Sequence, residues 1–85
     1  MTTYARPEKH SLTLSGHRTS VTMEAPFWRA FRNLARAEGV SVNALAARID
    51  AARPLDVGLA SAIRVHVLAA ALRDPSALAD SDNAG

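Results

Sequence analysis

From Ser11 to Met23 apolar and polar residues alternate: Leu12 and Leu14, then Val21 and Met23, stand among Ser, Thr and Arg. A period of two marks a strand with one buried face. In GHRTSVTM, residues 16–23, Thr19, Val21 and Met23 point to one side while Arg18, Ser20 and Thr22 point to the other. Gly16 either turns the chain into a hairpin or bulges one longer strand, and the pattern admits both. A short strand with no sheet to join leaves its backbone hydrogen bonds unmade, so the pattern demands a partner.

Beyond Glu24 the period becomes helical. Pro26 suits a first turn, and Phe27, Ala30, Phe31, Leu34 and Ala35 recur at spacings of three and four. Arg29, Arg32 and Arg36 lie mostly opposite, and Gly39 ends the run as a left-handed cap. Trp28 falls beside the stripe and reads as a packing residue. Ser41 is a good N-cap for a second helix carrying Val42, Leu45, Ala46 and Ile49. The free N–H groups at residues 42–44 and the helix dipole behind them suit an anion. After the breaker RPLDVG, residues 53–58, a third helix is predicted over Leu59–Arg73, apolar around most of its girth, with Asp74-Pro75 as its stop. Residues 1–10 read as a mobile arm, 11–73 as the folded domain and 74–85 as a disordered acidic tail.

Composition narrows the function classes. A chain of 85 residues forms one domain with a modest core and favours oligomerisation as a source of further burial. It has no cysteine and three scattered histidines, so neither a disulfide framework nor a metal site is expected, and no cofactor. Nothing approaches the roughly twenty apolar residues of a membrane span, and the N-terminus lacks a signal-peptide pattern, so a cytoplasmic protein is expected. All ten basic residues and five of the eight acidic ones fall within residues 1–73, leaving a basic body with an acidic end, as a nucleic-acid binder has. The carboxylates are dispersed, Ser20 and Ser61 lack placed His and Asp partners, and His66 sits inside an apolar helix, so the chain does not read as an enzyme.

The order strand, helix, tight turn, helix, carried by RTSVTM, PFWRAFRNLARAEG and GVSVNALAARI, resembles the ribbon-helix-helix fold of the Arc and Met repressors. With LTLSGHRTSV and the later LASAIRVHVL, the chain is similar to stand-alone bacterial members with an additional C-terminal helix. The resemblance implies a mainly α fold built as an intertwined homodimer, in which two copies of the strand pair antiparallel as a two-stranded ribbon. Val21, Met23, Phe27, Phe31, Leu34, Leu45 and Ile49, with Thr19, would then fill a shared core. It further implies a sequence-specific, double-stranded DNA-binding transcriptional regulator, a repressor by analogy, whose ribbon enters the major groove. Arg18, Ser20 and Thr22 would meet base edges. Ser41, Val42 and Asn43 would hold a phosphate, with Lys9, His10 and His17 as further phosphate contacts.

Two other functions fit the same pattern. One is a protein-partner-binding dimerisation module, for which the polar strand face is merely solvated; the other is an antitoxin-like component, for which the twelve residues after Arg73 offer little apolar surface. The third helix either covers the core of its own dimer, which is the favoured expectation, or joins dimers side by side on tandem sites.

Overall fold

The structure, a computed structural model, describes residues 4–78. Strands β1 (Glu8–Leu14) and β2 (His17–Met23) precede helices α1 (Ala25–Glu38), α2 (Val42–Ala52) and α3 (Leu59–Arg73), and a 3-10 turn spans Pro75–Leu78. Ser15 and Gly16, at φ 51° and 85°, form the two-residue turn of a hairpin. Two successive left-handed residues have the twist that an antiparallel pair needs. The register sets Leu14 against His17, Leu12 against Thr19, His10 against Val21 and Glu8 against Met23.

The hydrogen-bond partner of β2 is therefore β1 of the same chain. Of the two readings that Gly16 allows, the hairpin is the one formed: SLTL pairs with GHRTSVTM, and the tight turn delivers it with almost no loop to close. Glu8, Lys9 and His10, assigned by the sequence to an arm, belong to β1. The segment after α3 is likewise engaged as far as Leu78, whose carbonyl accepts a bond from Asn33 Nδ2 at 3.1 Å; residues 79–85 of the expected tail lie outside the described residues.

One face of the hairpin closes the core. Leu12, Leu14, Val21 and Met23 pack on Phe31, Leu34 and Ala35 of α1, Leu45, Ala46 and Ile49 of α2, and Ile63, Val67 and Ala70 of α3. Met23, Phe31, Leu45 and Ile63 are fully buried, and each such side chain stabilises the fold by about 1.5–3 kcal/mol. Six of the residues expected in a core shared by two copies are thus buried within one chain; the seventh, Phe27, is half-buried at its margin. Helix α3 packs against α1, α2 and β2. Thr19 is exposed rather than in the core. It lies on the inner face, but α2 packs under β1 and α3 under β2, and neither shields the inner side of β2 beside the turn.

Local chemistry fixes the helix ends as the sequence predicts. Gly39, at φ 73°, caps α1 in the left-handed conformation, and Ser41 Oγ accepts the N–H of Ala44 at 3.0 Å. Glu24, N-cap of α1, makes no side-chain cap; its carboxylate instead takes two bonds from Arg64, at 2.9 and 3.1 Å. Arg53 secures the α2–α3 connection through Asp50 at 2.8 Å and the Val57 carbonyl at 2.6 Å. Trp28 is a packing residue, stacked on His10.

Candidate nucleic-acid interface

The outer face of the hairpin carries Lys9, Ser11 and Thr13 from β1 and Arg18, Ser20 and Thr22 from β2. All six are exposed. They oppose one another as Lys9 with Thr22, Ser11 with Ser20 and Thr13 with Arg18. Every member bears a hydrogen-bond donor, two are cationic, and none is a carboxylate. Glu8, the acidic residue of the hairpin, alternates onto the opposite face. The sequence singled out Arg18, Ser20, Thr22 and Lys9; Ser11 and Thr13 were missed as site residues, although the alternation of SLTL already placed them away from Leu12 and Leu14.

The start of α2 is tied to this face. Asn43 Oδ1 accepts the backbone N–H of Thr13 at 3.0 Å, joining the second residue of the helix to the outward edge of β1. In a hairpin with a two-residue turn, alternate residues direct their backbone groups away from the partner strand, and Thr13 is one of these. The side chain of Asn43 is therefore spent within the fold, and that of Ser41 is spent on Ala44. What the helix start keeps available are the N–H groups of Val42 and Asn43, which precede the first intrahelical bond, Leu45 N–H to the Ser41 carbonyl at 3.0 Å. Ser41 and Asn43 are exposed there. The start of α2, with the positive end of its dipole, thus lies beside the outward edge of β1 at Thr13.

Lys9 stands near the open end of the ribbon, opposite Thr22. His17 flanks the turn, exposed, on the inner face across from Leu14. His10 is half-buried against Trp28, ring centroids 4.0 Å apart and planes within 6° of parallel, so it belongs to the packing and not to the outer face. Arg29 and Arg32 add exposed positive charge on the outer side of α1.

The junction between ribbon and helices is held electrostatically. Arg64 also donates to the Thr22 carbonyl at 3.3 Å, and its guanidinium lies 5.8 Å from the centre of the Phe27 ring. A backbone hydrogen bond at Glu24, and next the bond from Arg64, hold the Glu24 carboxyl below the ordinary glutamate range. Among the described residues no three His, Cys, Asp or Glu side chains gather as a metal site would require, and no helix is long and apolar enough to cross a membrane.

No curated protein and no solved structure matches the chain significantly. The family model described as ribbon-helix-helix domain matches residues 7–71, which takes in the hairpin, α1, α2 and α3 to within two residues of its end. With strand, helix, capped turn and helix in that order over most of its length, the chain belongs to the ribbon-helix-helix domain family.

Proposed function

We propose that the protein is a double-stranded DNA-binding transcriptional regulator that sets the outer face of its ribbon into the major groove. The observation that carries this reading is the six-residue outer face: donors throughout, two cations, no carboxylate. Ribbon-helix-helix domains are in general DNA-binding regulators or antitoxins, a non-enzymatic use of the fold. Arg18 presents two parallel donors suited to guanine O6 and N7, and the hydroxyls of Ser20 and Thr22 read less selectively. The Val42 and Asn43 N–H groups and Lys9 take phosphates and fix the register, whereas His17, expected to join them, lies on the inner face of the hairpin, away from the duplex.

The working unit in this reading is a homodimer joined along the outer edge of β2. Arg18 and Ser20 direct their backbone groups to that edge, where they have no partner among the described residues, and the inner face beside them, at His17 and Thr19, is uncovered. Pairing two such edges gives a four-stranded sheet with β2 and its copy in the middle. At about 4.8 Å per strand its outer strands stand about 14 Å apart, more than the roughly 12 Å width of the major groove. The two β2 strands then enter the groove, and Lys9, Ser11 and Thr13 of β1 lie over its phosphate walls.

The test is selection of bound duplexes from a random DNA pool, with affinity followed against salt. A recovered two-fold sequence and binding that falls steeply as salt rises are expected. No binding to any duplex at low salt overturns the reading and leaves a protein-partner module as the alternative.

A further inference from the structure

The chain that follows α3 is fastened to α1. Ser76 Oγ donates to Asp74 Oδ1 at 2.6 Å and the Ala77 N–H to the Asp74 carbonyl at 3.1 Å, which hold the 3-10 turn at the end of α3. Ala77 and Leu78 pack against the core, Leu78 in a hollow with Phe27, Ala30 and Val67, and Asn33 Nδ2 binds the Leu78 carbonyl at 3.1 Å. Whatever follows Leu78 therefore starts beside the middle of α1. At about 3.6 residues per turn, Asn33 lies between the apolar stripe of α1 and its arginines, with Arg29 one turn before it, Arg36 one turn after it and Arg32 beyond them. From Ala25 to Ala37 the helix carries these three cations and no carboxylate. Arg29 and Arg32 are exposed and have no ion-pair partner among the described residues.

Residues 79–85, ADSDNAG, hold Asp80 and Asp82 and no basic residue. We propose that this segment is an internal competitor for phosphate: Asp80 and Asp82 dock on the arginine row of α1 and withdraw it from non-specific contact with a duplex. The docking rests on the anchor and on charge; the competition rests also on the DNA reading above. Reach is sufficient, since two residues past Leu78 span up to about 7 Å and four up to about 14 Å, whereas Arg29 and Arg36 stand about 6 Å and 4.5 Å from Asn33 along the helix axis. The Ala, Ser, Asn and Gly around the aspartates offer nothing to an apolar hollow, so charge selects where the segment lies. A single exposed ion pair contributes little, but a tether this short holds both carboxylates at an effective concentration on the order of millimolar. An uncovered row of arginines attracts any polyanion, whatever its sequence. Covering it lowers indiscriminate binding and leaves Arg18 and the ribbon untouched.

The experiment compares the full chain with the double variant Asp80→Asn with Asp82→Asn, the double variant Arg29→Gln with Arg32→Gln, and the combination of all four changes. In nuclear magnetic resonance spectra at low salt, the side-chain Nε–H signals of Arg29 and Arg32 are expected to differ between the natural chain and the aspartate variant, while that of Arg18 on the ribbon stays in place. At about 1 M salt, where the Debye length falls to about 3 Å, the two spectra should coincide. Arg29 and Arg32 signals that do not move at low salt overturn the docking. Affinity for a random-sequence duplex at low salt is expected to rise about threefold or more in the aspartate variant, the scale that two exposed ion pairs set, and this gain should vanish when Arg29→Gln and Arg32→Gln are added. An equal gain in the combined variant means that the segment repels the duplex without covering α1, and it overturns the competition, as does an unchanged affinity. Absence of duplex binding in every form removes the DNA reading and the competition with it, whereas the arginine signals still decide the docking.

Discussion

The side-chain oxygen of Asn43 accepts the backbone N–H of Thr13 at 3.0 Å, so one residue fixes the start of α2 to the edge of the ribbon. The two regions proposed to touch DNA, base-reading strand face and phosphate-holding helix start, are aligned by that bond. Asn43→Ala leaves the Thr13 donor to solvent, and a loss of about 1 kcal/mol or less is expected, as for an exposed bond. Asn43→Asp keeps the acceptor and places a negative charge at a helix N-terminus, which favours the fold but repels a phosphate. Urea unfolding should therefore show Asn43→Asp at least as stable as the natural chain, while its duplex affinity falls below that of Asn43→Ala. Stronger DNA binding by the aspartate variant would remove phosphate from this position.

Arg18 is the strongest candidate for base reading. It is exposed on the outer face opposite Thr13, with no acidic residue among its face neighbours. Arg18→Ala is expected to weaken binding to a selected site by about 1–3 kcal/mol and to relax preference at one position of each half-site. Lys9→Ala, at a phosphate position, should weaken all duplexes alike and lower the salt slope by about one. Affinity on selected and scrambled duplexes at two salt concentrations separates the two outcomes. Unchanged preference in Arg18→Ala would take the base contact away from it.

What the sequence made legible was whatever neighbouring residues decide. Pro26, Gly39 and Ser41 set helix ends through local backbone chemistry, and all three sit where the pattern puts them. The inner and outer assignment of Val21, Met23, Arg18, Ser20 and Thr22 followed from a period of two and holds. The exposure of Thr19 was not legible, because it depends on where α2 and α3 come to rest under the sheet, a matter of distant packing. The engagement of Asn43 with Thr13 was hidden for the same reason, since thirty positions separate the partners. The pairing of β1 with β2 lay open between two readings of Gly16, and the left-handed backbone of both Ser15 and Gly16 decides it.

That turn is itself a place to test the hairpin. Ser15 occupies φ 51° and Gly16 φ 85°, a pair for which Asn-Gly is the preferred sequence. Asparagine tolerates the left-handed region better than serine, so Ser15→Asn is expected to stabilise the chain by a few tenths of a kcal/mol. A Cβ on Gly16 would meet nothing within 4 Å, so Gly16→Ala is penalised by its backbone alone, by about 1 kcal/mol. Thermal unfolding of the two variants measures both. If neither midpoint moves, the hairpin contributes nothing to global stability, and the ribbon must form in some other way.

The pairing of Glu24 with Arg64 makes a prediction about acid. Its own backbone hydrogen bond first, and then the bond from Arg64, lower the Glu24 carboxyl in the folded chain, against the opposing effect of desolvation. A group depressed on folding contributes stability that is complete above its unfolded pKa, about 4.3 for glutamate, and that is lost as pH falls through the lower folded value, because the unfolded chain then binds the extra proton. Arg64→Met retains an apolar stem beside Phe27 but gives up both bonds to the carboxylate and the one to the Thr22 carbonyl. The stability gap between the natural chain and Arg64→Met should be widest near neutral pH and narrow steadily below about pH 4. Urea midpoints taken for both proteins down the acid range give that gap directly. A gap of constant size would mean that Arg64 holds the β2–α1 junction through Thr22 and Phe27, and that the charge on Glu24 takes no part.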